Sequence, residues 1–196
     1  LYPIKQHLKK GLVLRLLKDT DTNSVLIFTR TKHRAKRLAQ QLARAGYEVT
    51  SLHGNRSQNQ RQAALKGFKQ GRYQIMVATD IAARGLDIDS ISHVINFDMP
   101  DTADAYIHRI GRTGRAKRTG EAFTLVTADD DQMVRRIERI MDQKLERRKI
   151  DDFDYDVPRP DYPQNNRRRN PRKQTAKANG KANDRPQSRN GSRNDI

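Results

Sequence analysis

Ser24–Thr29 reads SVLIFT, with four apolar residues in an unbroken row at Val25–Phe28. A half-buried strand alternates apolar and polar residues, and this run does not. It has the pattern of a strand covered on both faces, the situation of a parallel sheet with helices above and below. Similar short runs recur at Glu48–Leu52, Gln74–Ala78 (QIMVA), His93–Phe97 (HVINF) and Gly120–Thr127 (GEAFTLVT). Between them the apolar spacing becomes helical. Residues 5–18 carry Leu8, Leu12, Leu16 and Leu17, and Thr31–Ala45 carries Ala35, Leu38, Ala39 and Leu42. Further helices are predicted over about 58–70, 102–111 and 129–143, the last with Met133, Ile137, Ile140 and Met141 inward. Leu1–Pro3 is extended, because a residue before proline avoids the helical region. Ser57 and Gln60 have the spacing of a capping box, and Gly46 stands where a helix C-terminal cap is wanted. Strands alternating with helices predict an α/β fold, a doubly wound, mostly parallel sheet flanked by helices with right-handed crossovers. Ligands of such a sheet gather at the carboxyl ends of its strands.

This pattern stops near Pro158. From there to Ile196 there are 11 Lys and Arg against 3 Asp and Glu, with few apolar residues. Such a segment does not bury enough surface to offset its ordering entropy, so residues 151–196 are expected to form a disordered basic tail behind a domain spanning 1–150. The whole chain of 196 residues has a net charge of +17. That excess points to nucleic acid or another polyanion. There is no cysteine, which excludes disulfides and thiolate metal sites and fits a reducing, cytoplasmic setting. No apolar run reaches the roughly 18 residues a membrane span needs. The chain opens at Leu1 without a methionine and is read as a fragment.

Three stretches follow strands, where an α/β ligand site is expected. They are Thr29-Arg30-Thr31, Thr79 to Asp87 (TDIAARGLD), and Tyr106 to Arg115 (YIHRIGRTGR). In the last, Arg109, Arg112 and Arg115 alternate with Gly111 and Gly114. Glycine weakens a helix, whereas guanidinium is planar, always charged and suited to phosphate. Gly85 serves either a turn or a close backbone approach to a ligand. Asp87 serves either as a cap or as an acceptor for ribose hydroxyls. Other chemistries lack their residues. The five histidines show no metal-ligand spacing such as H-E-x-x-H, and no metal site is expected. A nucleophile elbow, a G-x-x-x-x-G-K-[ST] phosphate loop and an acidic Mg²⁺-binding run are all missing from these residues. A nucleotide is therefore touched by such a domain rather than gripped by it.

VLIFTRT (25–31), HGNRSQNQR (53–61), VATDIAARGLDI (77–88), VINFDMP (94–100) and HRIGRTGR (108–115) stand in this order. Together they closely resemble the C-terminal RecA-like domain of DEAD-box ATP-dependent RNA helicases, over about residues 1–145. The RhlE-type bacterial subgroup, with its basic tail, is the nearest likeness. The resemblance implies a domain that closes with an N-terminal RecA-like domain over ATP and single-stranded RNA, for local duplex unwinding. It implies Arg112 and Arg115 as arginine fingers on the triphosphate, Asp87 near the ribose, and His108 coupling the two domains. Arg109 would anchor its loop to a carboxylate. Gln58, Arg61, Thr79 and Gly85, with Thr29 and Arg30, would meet the RNA backbone without reading sequence. Mg²⁺ would be held by the N-terminal domain, whose glutamine motif, phosphate loop, D-E-A-D and S-A-T elements are missing from this sequence. The chain by itself is then expected neither to hydrolyse ATP nor to unwind RNA. The competing expectation is an RNA-binding or chaperone module that works without ATP, with the tail as a salt-sensitive tether.

Overall fold

The computed structural model describes residues 1–20, 24–83, 91–113 and 120–159. Gly85, Asp87, Arg115 and the tail beyond Arg159 lie outside the described residues. The order is β1 (Tyr2–Pro3), a 3-10 turn at Gln6–Leu8, α1 (Lys9–Asp19), β2 (Val25–Phe28), α2 (Lys32–Arg44) and β3 (Val49–Leu52). It continues with α3 (Gln58–Lys69), β4 (Ile75–Ala78), α4 (Asp80–Ala83), β5 (His93–Asn96), α5 (Ala103–Ile110), β6 (Glu121–Val126), a 3-10 turn at Ala128–Asp130, and α6 (Asp131–Met141). The strands form one six-stranded sheet in the order β1-β6-β5-β2-β4-β3. Each described strand pair is parallel, so the sheet is all-parallel where a mostly parallel one was expected.

The unbroken apolar runs find their explanation in the two faces of the sheet. Val25 and Ile27 of β2 join Leu12, Leu16, Leu38 and Leu42 on one side. Leu26 and Phe28 join Ala64, Phe68, Met76 and Val94 on the other. A strand in the middle of such a sheet has no solvent face, and alternation has no purpose there. Beside these layers, α5 and α6 pack together through Met99, Tyr106, Val126, Val134 and Ile137.

Local signals set the helix ends. The Ser57 hydroxyl accepts from the Gln60 N–H while the Gln60 side chain accepts from the Ser57 N–H, a complete capping box at the start of α3. Thr31 and Thr102 cap α2 and α5 in the same way through their hydroxyls. Gly46 follows α2 with φ of 95°, a left-handed value that side-chain-bearing residues avoid.

Several expectations are corrected. Tyr2–Pro3 is a sixth strand, paired with Leu125–Val126 at the sheet edge. Ile140 is 52% exposed rather than inward, because the inner stripe of α6 runs through Val134 and Ile137. The compact unit runs to Arg159, past the boundary drawn at 150. Phe153 and Tyr155 pack against the first core layer, edge to face with ring centres 5.0 Å apart. Two aromatics in an otherwise acidic stretch bury enough apolar surface to hold it.

Candidate functional site

Register brings the first two stretches to one edge. Phe28, Ala78 and Leu52 are partners across β2, β4 and β3. The residues that follow them, Thr29, Thr79 and His53, therefore stand side by side at the carboxyl end of the sheet. The Thr29 N–H donates to the Ala78 carbonyl at 2.9 Å, and the Thr79 N–H donates to that of Leu52 at 3.2 Å. Thr29 is fully buried, and its hydroxyl donates to the Thr31 carbonyl. Its side chain belongs to the turn into α2 and is not presented on the surface, contrary to expectation. Thr79 is half-buried, and its carbonyl accepts from the Ala82 and Ala83 N–H groups of α4. Gln58 is exposed on the first turn of α3, and Arg61, one turn on, donates to the Ala82 carbonyl at 3.3 Å. The Q-x-x-R element is thus tied directly to the segment after β4.

Arg30 is exposed but engaged. Its guanidinium donates to the Met99 carbonyl at 3.2 Å and lies 3.5 Å from Asp101. Its N–H donates to the Asp98 carboxylate, which also receives Arg34. Asp98 is 2% exposed, so these bonds satisfy a buried charge.

Arg109 is the centre of the third stretch, and it is 2% exposed. Its Nε and Nη2 donate to the two carboxylate oxygens of Asp80, each at 2.6 Å. Its Nη1 donates to Asn96 Oδ1 at 3.2 Å and to the Asp98 carbonyl at 2.8 Å. The guanidinium also stands 4.9 Å from the Phe28 ring centre. A bidentate fork with a stacked face is geometry only arginine supplies. It fastens α5 to the ends of β4, β5 and β2 at once. His108 and Arg112 flank this lock. His108 is exposed and Arg112 half-buried. Both line an open cleft of about 440 Å³, together with Phe28, Asp80, Thr102 and Asp104. The C-terminal end of a helix favours cations, and α5 presents them there.

Two functional-looking residues escaped the sequence reading. Lys9 is 1% exposed, with its ammonium donating to the Phe97 and Leu125 carbonyls at 2.9 and 3.1 Å. Burial pushes its pKa below the ordinary lysine value. It closes the ends of β5 and β6 and lines a second cleft of about 900 Å³ with Arg30, Arg34 and Asp98. The signal was its place on the apolar face of α1, three residues before Leu12. His53 is 6% exposed, and its Nδ1 has no hydrogen-bond partner among the described residues. Burial, helped by nearby Arg56, Lys36 and Lys32, lowers its pKa below the ordinary histidine value.

Residues 8–117 match the family described as helicase conserved C-terminal domain. The chain is 42% identical over 146 residues to the DEAD-box ATP-dependent RNA helicase CshA of Bacillus subtilis (strain 168), covering 74% of this chain and 30% of that protein. It is 47% identical over 147 residues to the RNA helicase CrhR of Synechocystis sp. (strain ATCC 27184 / PCC 6803 / Kazusa), again covering 74% of this chain and 30% of that protein. The chain therefore spans about a third of the length of these relatives. Among solved structures, the E. coli DEAD-box protein SrmB bound to the regulator of ribonuclease activity A is similar, with a TM-score of 0.75 and 38% identity. That likeness covers 82% of this chain and 95% of the other.

Proposed function

The chain belongs to the helicase C-terminal domain family and is the C-terminal domain of a DEAD-box helicase, and from that premise we propose that it forms half of an ATP-dependent RNA helicase. ATP is bound mainly by an N-terminal RecA-like domain that also holds Mg²⁺. Arg112 and Arg115 reach the triphosphate, Asp87 approaches the ribose, and His108 relays between nucleotide and RNA. The RNA backbone meets Arg30, Gln58, Arg61, Thr79 and Gly85. Triphosphate hydrolysis supplies the free energy, and this domain's part is charge stabilisation on the transferring phosphoryl group.

The observation that carries this reading is the division of labour in α5. Arg109 is locked on Asp80, and the lock holds His108 and Arg112 at the rim of the cleft. Guanidinium and imidazole donors at such a rim suit a polyphosphate held from the opposite side. The RhlE-type likeness rests on the tail, which the described residues do not include.

The test joins this chain to the N-terminal half of a DEAD-box relative and measures RNA-stimulated ATP hydrolysis. Arg112→Ala and Arg115→Ala should each lower kcat about 10³-fold or more, the range for arginine fingers. The chain without its partner domain should show negligible turnover. Unchanged kcat in both variants would overturn the finger assignment. RNA binding and annealing that proceed in the joined protein without ATP hydrolysis would favour an ATP-independent chaperone instead.

A further inference from the structure

We infer that the basic face of α2 beside His53 is an additional phosphate subsite for a nucleic-acid strand, carrying the strand from Arg61 to the outer edge of the sheet. The inference rests on the RNA-binding reading above and extends it to residues outside the five sequence stretches' expected contacts.

The position follows from topology. β3 is the last strand of the sheet, and His53 follows it directly. By register His53 stands level with Thr79 and Thr29, two strand spacings from the latter, or about 10 Å. α2 begins at the same edge, directly after β2, and packs against β3. Lys32, His33 and Lys36 share one outward face of that helix, being spaced three and four residues apart, and all three are exposed. The loop after His53 turns toward them. Lys32 Nζ donates to Asn55 Oδ1 at 3.0 Å, and Arg56 donates to Ser51 Oγ at 3.2 Å. Helix and loop therefore present their cations together.

Charge sorting makes the cluster unusual. The carboxylates at the ends of β4 and β5 are already bound. Asp80 is held by Arg109, and Asp98 by Arg34 and the Arg30 N–H. Among the described residues, no carboxylate lies within ion-pair distance of Lys32, Lys36 or Arg56, although the domain pairs many of its other cations. Like charges gathered without a counter-ion repel one another, and a row of phosphates relieves that repulsion while releasing its own counter-ions. The buried Nδ1 of His53 has no partner among the described residues, which leaves a polar atom of this corner for a further contact. The ligand is a phosphodiester backbone, held without base recognition because contacts from these side chains to phosphate oxygens carry no sequence information.

The test uses the full 196-residue chain. Binding of a fluorescent oligouridylate of about 12 nucleotides, within the range single-strand binders cover, is titrated at several salt concentrations. Lys32→Glu/Lys36→Glu should bind about 10-fold more weakly, with a salt slope shallower by about 1–2. Both lysines are exposed, so the urea midpoint should stay in place. Since the chain has no cysteine, Gln40→Cys, one turn beyond Lys36, accepts a single fluorophore without removing Lys32, Lys36 or Arg56. An oligouridylate with a terminal quencher should then quench it on binding, and unlabelled strand should reverse the effect. Unchanged affinity, slope and fluorescence overturn the subsite. If Arg61→Ala weakens binding while the lysine variant does not, the RNA reading stands and the subsite falls. A wild-type chain that binds no oligouridylate overturns both. If the lysine variant keeps its RNA affinity but loses binding to polyglutamate, the cluster belongs to an acidic protein partner, which also overturns the subsite.

Discussion

Arg109 and Arg112 are chemically alike, and at the residue scale their burial separates them, Arg109 being buried and Arg112 half-buried. Arg109 has a carboxylate, an amide, a carbonyl and a ring around it. Arg109→Ala should destabilise the domain by about 3–5 kcal/mol in urea unfolding, since it strands Asp80 and Asn96. Arg109→Lys should recover little, because an ammonium does not form the fork. The resemblance to a family assigned Arg109 to an anchor, but nothing in the sequence named Asp80 as its partner. The two lie 29 positions apart, and only folding brings them to 2.6 Å. Asp98 was missed for the same reason, as its three arginine contacts come from separate elements. Glu138 offers a pH test of such a network. Its carboxylate accepts from Arg147 at 2.6 Å and from the Leu145 N–H at 3.0 Å, and the Arg147 bond is the main reason its pKa falls from 4.5 to about 2. A carboxyl depressed by folding stabilises the fold above its unfolded pKa and loses that contribution as pH falls through its folded one. Stability should therefore drop between pH 4.5 and about 2. Glu138→Gln should have a lower urea midpoint at neutral pH and a flatter profile across that window.

At the scale of elements, pattern and cap chemistry were easily read. Strands β2 to β6 and the five longer helices fall within a few residues of their expected bounds, whereas the short α4 at Asp80–Ala83 was not expected. The capping box at Ser57 formed as its spacing required. What escaped was the segment after α6. The Leu1 carbonyl accepts from the Arg148 N–H, His7 bonds the Val157 carbonyl, and Phe153 stands against Gly11, where an added Cβ would meet the ring at 3.5 Å. None of this has a periodicity, since an irregular strap gets its order from the surface beneath it. Phe153→Ala should cost about 1–2 kcal/mol by urea unfolding, less than for a fully buried phenylalanine because the ring is half-buried. Truncation after Ile150 should cost more than that substitution, and truncation after Arg159 should leave the midpoint unchanged. Equal midpoints for all three would show that the strap contributes nothing.

For the molecule as a whole, only part of the basic excess is separable from the domain. Removing residues 160–196 deletes ten Lys and Arg and leaves the compact unit ending at Arg159 intact. RNA affinity should fall and its salt slope should flatten, while the melting temperature stays the same. Equal slopes with and without the tail would refute the tether. By itself the sequence determined the layered architecture, because burial on both faces leaves a period-free apolar run that few other folds produce. It also pointed to the short stretches after the strands as candidates for ligand contact, because the carboxyl ends of parallel strands are where such sheets bind. Only the tertiary structure decided which of those residues face each other. The register of β2, β4 and β3 set Thr29, Thr79 and His53 in one row, and the Arg109–Asp80 lock turned His108 and Arg112 to the cleft. Periodicity is a property of neighbours along the chain. A site is made of neighbours in space, and these were joined by long-range packing that no local pattern records.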